Sequence, residues 1–173
     1  MTITKAKPNQ VETVRAFYHS MIDTMAGSTV YVGWKKDIYP APEFLADSIR
    51  RGELYTVLEE DQIVGAMVFN HEYNEGYRNF QWRTEADDSE IMVIHALGVH
   101  PNYAGKGYAK AMVQSAIDLA RANGMKAIRL DVLEGNLPAE KLYVGFGFQY
   151  MATLKMYYED TGWTNFRLYE YVI

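Results

Sequence analysis

IMVIHALGVHPNYAGKGYAKAMVQSAIDLA, residues 91–120, is the stretch that decides the fold, because the chemical character of the chain changes twice within it. Residues 91–99 are almost uninterruptedly apolar and rich in β-branched side chains, which predicts a strand covered on both faces. A Gly-Lys-Gly segment follows at residues 105–107. Apolar residues then recur at helical spacing over residues 109–120. The predicted order is therefore strand, glycine-rich loop and helix.

The loop between this strand and this helix has the properties of an anion-binding site. Main-chain N–H groups at a helix start lack partners, and the helix dipole is positive there. Glycine lets an anionic group approach the main chain closely, so the junction suits a phosphate. The glycine spacing matches neither the Walker loop nor the dinucleotide-binding fingerprint. A purely structural role, in which the glycines only turn a strand into a helix, stays open at this point.

A second strand and a second helix follow the first pair. Residues 127–133, AIRLDVL, predict another buried strand. Asn136 then caps a predicted helix that carries Pro138 in its first turn. Because a helix connects the two strands, we expect them to be parallel neighbours in one sheet.

Together, these segments resemble the GNAT superfamily of CoA-dependent N-acyltransferases, in a bacterial-type form. The pyrophosphate loop of that family reads Gln/Arg-x-x-Gly-x-Gly/Ala, and residues 102–107 fit this pattern except for Asn102 at the first position. A second family signature is matched by Asn136, Ala139, Leu142-Tyr143 and Gly147-Phe148. The resemblance covers about the last half of the chain closely.

The resemblance implies acetyl-CoA as the cofactor and a mixed α/β (α+β) fold. The expected fold is a single mixed, mostly antiparallel sheet with helices on both faces, whose central parallel strands splay apart to admit the pantetheine arm. Gly98 is the predicted place of the bulge that causes the splay. The residues assigned to the cofactor are Leu97, Gly98, Val99, Asn102, Ala104, Gly105, Lys106, Gly107, Tyr108, Ala109, Lys110 and Asn136.

The rest of the chain predicts further elements of the same single domain, residues 1–173. Those before the central stretch are a strand at 3–5, a helix opened by Pro8 with Asn9 as its cap, a helix at 42–51, and a hairpin of strands at 54–59 and 63–71. The chain is predicted to end in a hairpin of strands at 150–158 and 163–173.

Composition narrows the classes of function. The chain has 173 residues, of which 49% are hydrophobic and 23% charged, as in one globular domain. Residues 1–7 lack an apolar signal core and no run approaches a membrane span, so we expect a cytoplasmic protein without a membrane partner. The absence of cysteine excludes disulfides, thiolate metal sites and an acyl-cysteine intermediate. A net charge of −5 argues against nucleic acid as partner. No metal site is predicted, and a homodimer stays open.

Acyl transfer to an amine needs a neutral amine, a polarised carbonyl and a proton for the leaving thiolate. A lysine-like amine, with a pKa near ~10.4, is rarely neutral at pH 7, so a base is required. Main-chain N–H groups around Leu97 to Val99 can polarise the carbonyl. A phenol with a pKa near ~10 can protonate a thiolate with a pKa near ~8.5. The resemblance places that acid at Tyr143, and ordinary packing among aromatic side chains is its alternative role.

The catalytic base is not determined by the sequence. Glu90 at the start of the central strand, His95 within it and Glu72 at the end of the third strand are the candidates. A lone histidine in an apolar strand is more often a core residue than a catalyst, although its neutral form suits a proton relay.

The acceptor is predicted to be a cationic primary amine on a small molecule or a peptide. Tyr31, Trp34 and Trp82 offer aromatic faces for it, with core coverage as their alternative role. An acidic segment, which is otherwise a solvated loop, consists of Glu72, Glu75, Glu85, Asp87, Asp88 and Glu90. The leading function is direct acetyl transfer in a ternary complex, and a noncatalytic CoA-binding or regulatory module is the alternative. Tyr143 favours the enzyme, whereas Asn102 favours the module.

Overall fold

The computed structural model describes all residues, 1–173. The strands are β1 (Ile3–Lys5), β2 (Leu54–Glu59), β3 (Gln62–Asn70), β4 (Ile91–Val99), β5 (Ala127–Leu133), β6 (Gln149–Tyr158) and β7 (Gly162–Val172). The helices are α1 (Val11–Met25), α2 (Pro42–Arg50), α3 (Tyr108–Ala122) and α4 (Leu137–Gly145). None of these helices combines the length and the apolar character that a bilayer crossing requires.

All seven strands form one sheet in the order β1-β2-β3-β4-β5-β7-β6. The pair β4 and β5 is parallel, whereas every other neighbouring pair is antiparallel. The crossover through α3 explains the parallel pair, because a chain that leaves one end of a strand through a helix returns to the same end. The predicted mixed, mostly antiparallel sheet is confirmed.

The helices cover both faces of the sheet, as predicted. On one face α1 and α2 pack on the sheet through a buried cluster that includes Val14, Tyr18 and Leu45. On the other face α3 and α4 pack through Met112 and Tyr143, among others, in a cluster of 17 buried residues. Burial of these apolar side chains is the main driving force for assembly of the layers.

The long connection between β3 and β4 is fixed to the sheet by one buried ion pair. The Arg129 guanidinium on β5 donates to Glu170 on β7 at 2.9 Å and to the Thr84 carbonyl at 2.7 Å. Its Cζ also lies 4.5 Å from the centre of the Trp82 ring. A buried guanidinium requires such partners, since an unpaired charge is costly there. Trp82 is thereby held against the sheet.

One predicted helix start was wrong. Residues Pro8–Gln10 form a short 3-10 turn, and α1 begins only at Val11. Asn9 therefore does not cap the helix. Instead, the Gln10 side chain accepts a hydrogen bond from the Lys7 main-chain N–H at 2.7 Å, which satisfies a donor that the expected cap would have left open.

Candidate active site

The glycine loop forms an open main-chain cradle at the start of α3. Gly105 and Gly107 have φ values of 80° and 86°, a conformation that glycine adopts without strain. A Cβ atom added to either residue would meet nothing within 4 Å, so the main chain there faces open space. The first hydrogen bond of the helix start runs from the Ala111 N–H to the Gly107 carbonyl, at 3.0 Å. The amides of residues 108–110 therefore have no helical partner and can bind an anion.

Side chains of the loop contribute less than the main chain. The Lys106 ammonium donates to both oxygens of Glu59, at 2.9 and 3.1 Å, so its charge is partly neutralised. The Tyr108 side chain is buried in the core. Asn102 and Lys110 are exposed, and the Asn102 N–H donates to His100 Nδ1 at 3.2 Å. The groups that this loop offers to an anion are therefore mainly main-chain amides.

The central strands splay apart beyond this cradle. Parallel pairing of β4 and β5 ends at Val93 with Arg129, so their later residues are no longer joined. On its other side β4 carries a bulge, because Gly98 pairs with Ala66 and His95 pairs with Val68. Two residues of β4, at positions 96 and 97, thus face one residue of β3.

The bulge lies at Ala96 and not at Gly98, so its predicted position was wrong. Ala96 has a φ of 49°, and its carbonyl accepts a buried hydrogen bond from the Tyr18 hydroxyl at 2.7 Å. This contact from α1 stabilises a conformation that alanine otherwise disfavours. Gly98 serves close packing instead, since a Cβ there would lie 2.7 Å from Met21 Sδ.

A cavity opens at the splay, with about 720 Å³ of space between its walls when the solvent at its open mouth is included. Its walls come from β4, β5, α4, the connection between α1 and α2, and the hairpin of β6 and β7. The lining residues are Val32, Trp34, Tyr39, Ile94, His95, Ala96, Leu97, Asp131, Val132, Leu133, Asn136, Ala139, Tyr143, Tyr158, Asp160, Thr161 and Phe166. Among the predicted site residues, Leu97, Asn136, Tyr143, His95 and Trp34 are thus brought together.

Tyr143 combines a packed ring with a hydroxyl that lines the cavity. The ring makes an edge contact with Phe148, with ring centres 5.4 Å apart. The hydroxyl forms no hydrogen bond within the protein. Burial raises the pKa of Tyr143 well above that of a free phenol, and the charge of Asp131 acts in the same direction. The proton is therefore held more tightly than the sequence argument assumed. Burial of a leaving thiolate at the same place raises the pKa of the thiolate as well.

Of the three predicted base candidates, only His95 lines the cavity. Its Nε2 lies 2.9 Å from Asn70 Oδ1, and Asn70 Nδ2 donates to Glu53, so the ring donates from Nε2. Burial lowers the pKa of His95 to about 4, which leaves it neutral at pH 7.

The other two candidates lie outside the cavity lining. Glu90 accepts from the Asp87 N–H at 2.9 Å and pairs with Lys126 at 2.9 Å. Glu72 is exposed and pairs with Arg51 at 3.1 Å. Both carboxylates are engaged by partners that hold them elsewhere, so the geometry gives neither of them a role as base.

Asp131 is the cavity carboxylate that the sequence analysis missed. Its Oδ2 accepts hydrogen bonds from the Tyr77 and Tyr158 hydroxyls, at 2.8 and 2.7 Å. Burial raises the pKa of Asp131, the two phenols lower it, and the charge of Asp160 raises it. Its signal in the sequence was a carboxylate inside a central strand that is apolar apart from Arg129, where an unexplained charge is costly.

A second carboxylate, Asp160, lies in the turn of the β6–β7 hairpin. It is only 5% exposed, and it forms no hydrogen bond or ion pair with another side chain. Burial raises the pKa of Asp160, while the main-chain N–H groups of Asp160 and Thr161 and the charge of Lys35 act in the opposite direction.

The acidic segment predicted to attract the acceptor does not line the cavity. Asp88 accepts from the Tyr73 hydroxyl and lies 3.5 Å from Arg78 Nη2. Trp82 is occupied by Arg129, as described above, and Tyr31 is exposed outside the lining. The aromatic faces at the cavity are instead Trp34, as predicted, together with the unpredicted Tyr39, Tyr158 and Phe166.

A splayed parallel strand pair beside a helix start with unpaired amides is the arrangement that the resemblance to acyl-CoA-dependent transferases led us to expect. Residues 16–148 match the acetyltransferase (GNAT) family. The chain therefore belongs to the GNAT family, whose acyl donor is acetyl-CoA. The family resemblance noted in the sequence is thus confirmed.

Individual relatives support this assignment, and they match different shares of the chain. A ribosomal protein bS18-alanine N-acetyltransferase of Haemophilus ducreyi is 36% identical over 62 residues, which cover 36% of this chain and 43% of that protein. The chain thus spans less than half of that relative's length. An N-acetyltransferase of Bacillus subtilis, YycN, is 28% identical over 64% of this chain and 82% of its own length. A GNAT acetyltransferase structure from Streptococcus agalactiae superposes with a TM-score of 0.78, at 19% identity, over 99% of this chain and 95% of that chain, which shows a shared fold.

Proposed function

We propose that this chain transfers an acetyl group from acetyl-CoA directly to a primary amine within a ternary complex. The observation that supports this most is the single cavity that joins the β4–β5 splay, the Tyr143 hydroxyl and the Asp131 carboxylate. One hydroxyl and one carboxylate at the same gap supply the acid and the base that aminolysis of a thioester needs.

The donor fits the residues present. Acetyl-CoA, when bound, supplies an activated acetyl thioester. The amides of residues 108–110 and the glycines of the loop would hold its phosphates, because they offer unpaired N–H groups around open space. Asn136 and Ala139 line the gap that would take its arm, and the Asn136 side chain also accepts from the Ala139 N–H at 3.4 Å.

Asp131 is the base in this proposal. Both phenols donate to its Oδ2, which leaves Oδ1 available to take a proton from the amine. Its raised pKa favours proton uptake at neutral pH relative to an ordinary aspartate. His95 stays a prediction as an alternative relay, because it is neutral and lines the same cavity.

Tyr143 is the acid, and the bulged strand is the electrophilic element. The Tyr143 Oη holds a proton at neutral pH and can deliver it to a departing sulfur. The bulge interrupts regular pairing of β4 at Ala96 and Leu97, which supports a main-chain N–H near Leu97 as a donor to the carbonyl oxygen.

The proposal is tested by incubating the protein with acetyl-CoA and a panel of primary amines and measuring the release of free CoA thiol. The acetylated amine is then identified by mass spectrometry. The panel includes a peptide with an N-terminal alanine, since one relative acetylates a ribosomal protein alanine. Amine-dependent thiol release is the expected result. Tight acetyl-CoA binding without transfer to any amine would identify a noncatalytic CoA-binding module instead. A cytoplasmic location and a homodimer stay predictions.

A further inference from the structure

The only charged side chains that line the cavity at pH 7 are carboxylates. Asp131 and Asp160 both line it, and no lysine or arginine is among its lining residues. His95, the remaining titratable side chain besides the tyrosines, has a pKa lowered to about 4 and is uncharged at pH 7. The two carboxylates of the lining would therefore repel a ligand carboxylate, whereas they would attract a cation.

Asp160 is the unusual member of this pair. Only 5% of the residue is exposed, yet no side chain hydrogen-bonds or ion-pairs with it. Its carboxylate is met by the main-chain N–H groups of Asp160 and Thr161 and by the more distant charge of Lys35, and no side chain neutralises it in direct contact. Such a buried carboxylate is costly, and a ligand cation would complete it. Asp160 is also one of the residues that line the cavity.

Aromatic rings surround the same part of the cavity. The ring centres lie 6.1 Å apart for Trp34 and Tyr39, 5.8 Å for Tyr39 and Tyr158, and 4.9 Å for Tyr158 and Phe166. Ring faces attract an ammonium group, and they do so more strongly when water is excluded. Aromatic rings and a carboxylate in one cavity lining are the groups that suit an alkyl ammonium ligand.

Asp131 and Asp160 cannot both act as the base for the reacting nitrogen of the acceptor. The reacting amine must lose its proton to a base, whereas an ammonium that is paired with a carboxylate keeps its proton and cannot attack. If Asp131 takes the proton, Asp160 is free to hold a different cationic group of the same acceptor.

We propose that Asp160 binds a second, non-reacting ammonium group of the acceptor, so that the preferred substrate is an aliphatic diamine without a carboxylate. This inference rests on the proposed function, and it makes Asp160 the residue that determines acceptor specificity.

Three acceptors of matched chain length test the inference: diaminobutane, aminobutanol and aminobutanoate. For the unmodified protein, kcat/KM is expected to be about ten- to hundredfold higher for diaminobutane than for aminobutanol, the size of one charged hydrogen bond. Aminobutanoate should be the poorest acceptor. In Asp160→Asn the preference for the diamine over aminobutanol should vanish through KM, with acetyl-CoA affinity unchanged.

Glu159→Gln is the matched control, because Glu159 is an exposed carboxylate in the same turn. This variant should keep the full preference. A melting temperature of Asp160→Asn at or above that of the unmodified protein shows that the fold is intact, since the change removes a buried charge.

The outcomes separate the inference from the proposed function. Acetylation of all three amines with no preference for the diamine, or a preference that survives in Asp160→Asn, overturns the inference alone. Faster acetylation of an N-terminal alanine peptide than of diaminobutane also overturns it and leaves the proposed function standing. Failure to acetylate any of these acceptors overturns both.

Discussion

In the proposed function the central cleft has a phosphate end and an amine end, and these two ends are built from different parts of the chain. The phosphate end consists of main chain, with the glycines of the loop and the free amides of residues 108–110 within one short segment. The amine end consists of side chains, and Trp34, Asp131 and Asp160 reach it from three separate segments.

This difference assigns separate tasks to the two ends. A main-chain cradle recognises phosphate in any sequence that keeps the backbone conformation, so it suits a donor common to a whole family. Side chains on connecting segments can change without disturbing the sheet, so they suit an acceptor that differs between relatives. Changes at the phosphate end should therefore alter donor binding, and changes at the amine end should alter turnover or acceptor KM.

The largest effect is expected for Gly107→Asp at the phosphate end. The residue has a φ of 86°, which strains any side chain, and a carboxylate there repels phosphate. Acetyl-CoA affinity, measured by calorimetry, should fall by at least about a hundredfold, since several charge-assisted contacts are lost together. Gly124→Asp is the control, because Gly124 also has a positive φ, of 68°, but lies after the far end of α3. Equal losses in both variants would contradict the site assignment.

Asp131→Asn should produce the next largest effect, at the amine end. Loss of the base is expected to lower kcat by about a hundred- to a thousandfold, with acetyl-CoA affinity retained. The amide oxygen that this change introduces can still accept from the Tyr77 and Tyr158 hydroxyls, so the fold should persist.

The pH dependence provides a second readout for Asp131. A base works in its ionised form, so kcat/KM should rise with pH as Asp131 loses its proton, and the raised pKa places this rise above the usual range of an aspartate. The rise should be missing from the profile of Asp131→Asn. If the pH profile of Asp131→Asn equals that of the unmodified protein, Asp131 is not the base and His95 is the remaining candidate.

A smaller loss is expected for Tyr143→Phe. The change removes only the hydroxyl and keeps the ring contact with Phe148. Turnover should fall by about ten- to a thousandfold, and acetyl-CoA affinity should stay within about threefold. If turnover is unchanged and the melting temperature falls, Tyr143 is a packing residue.

The smallest effect is expected outside the cleft. Glu85, Asp87 and Asp88 do not line the cavity, so their joint replacement by Gln and Asn should leave the acceptor KM within about twofold at any ionic strength. A large, salt-dependent rise in the acceptor KM would show that this acidic segment attracts the acceptor after all.

The strand, the glycine loop and the helix of the phosphate end could be predicted from the sequence because their determinants are local. A strand, two glycines and a helix follow one another, and the periodicity of each part identifies it without knowledge of the rest. The position of the bulge could not be predicted in this way. Ala96 is held at positive φ by the hydroxyl of Tyr18, which is 78 residues away in sequence.

The amine end could be predicted only in part, for the same physical reason. Trp34 was identified as a candidate wall, but Asp160 looks in the sequence like an ordinary turn residue before a glycine. Its burial depends on the connection that carries Gly33, where a Cβ would lie only 2.6 Å from Thr161 Cγ2. Such convergence of distant segments leaves no local pattern.

The kinetic order of the reaction shows whether donor and amine meet in one cleft. Initial rates are measured while acetyl-CoA and an acetylated amine from the panel are varied together, and the mass of the intact protein is recorded during turnover. Intersecting double-reciprocal lines with no acetylated protein are predicted, because the chain has no cysteine and the cavity joins both ends of the cleft. Parallel lines with a protein-bound acetyl group that disappears on addition of the amine would contradict the account.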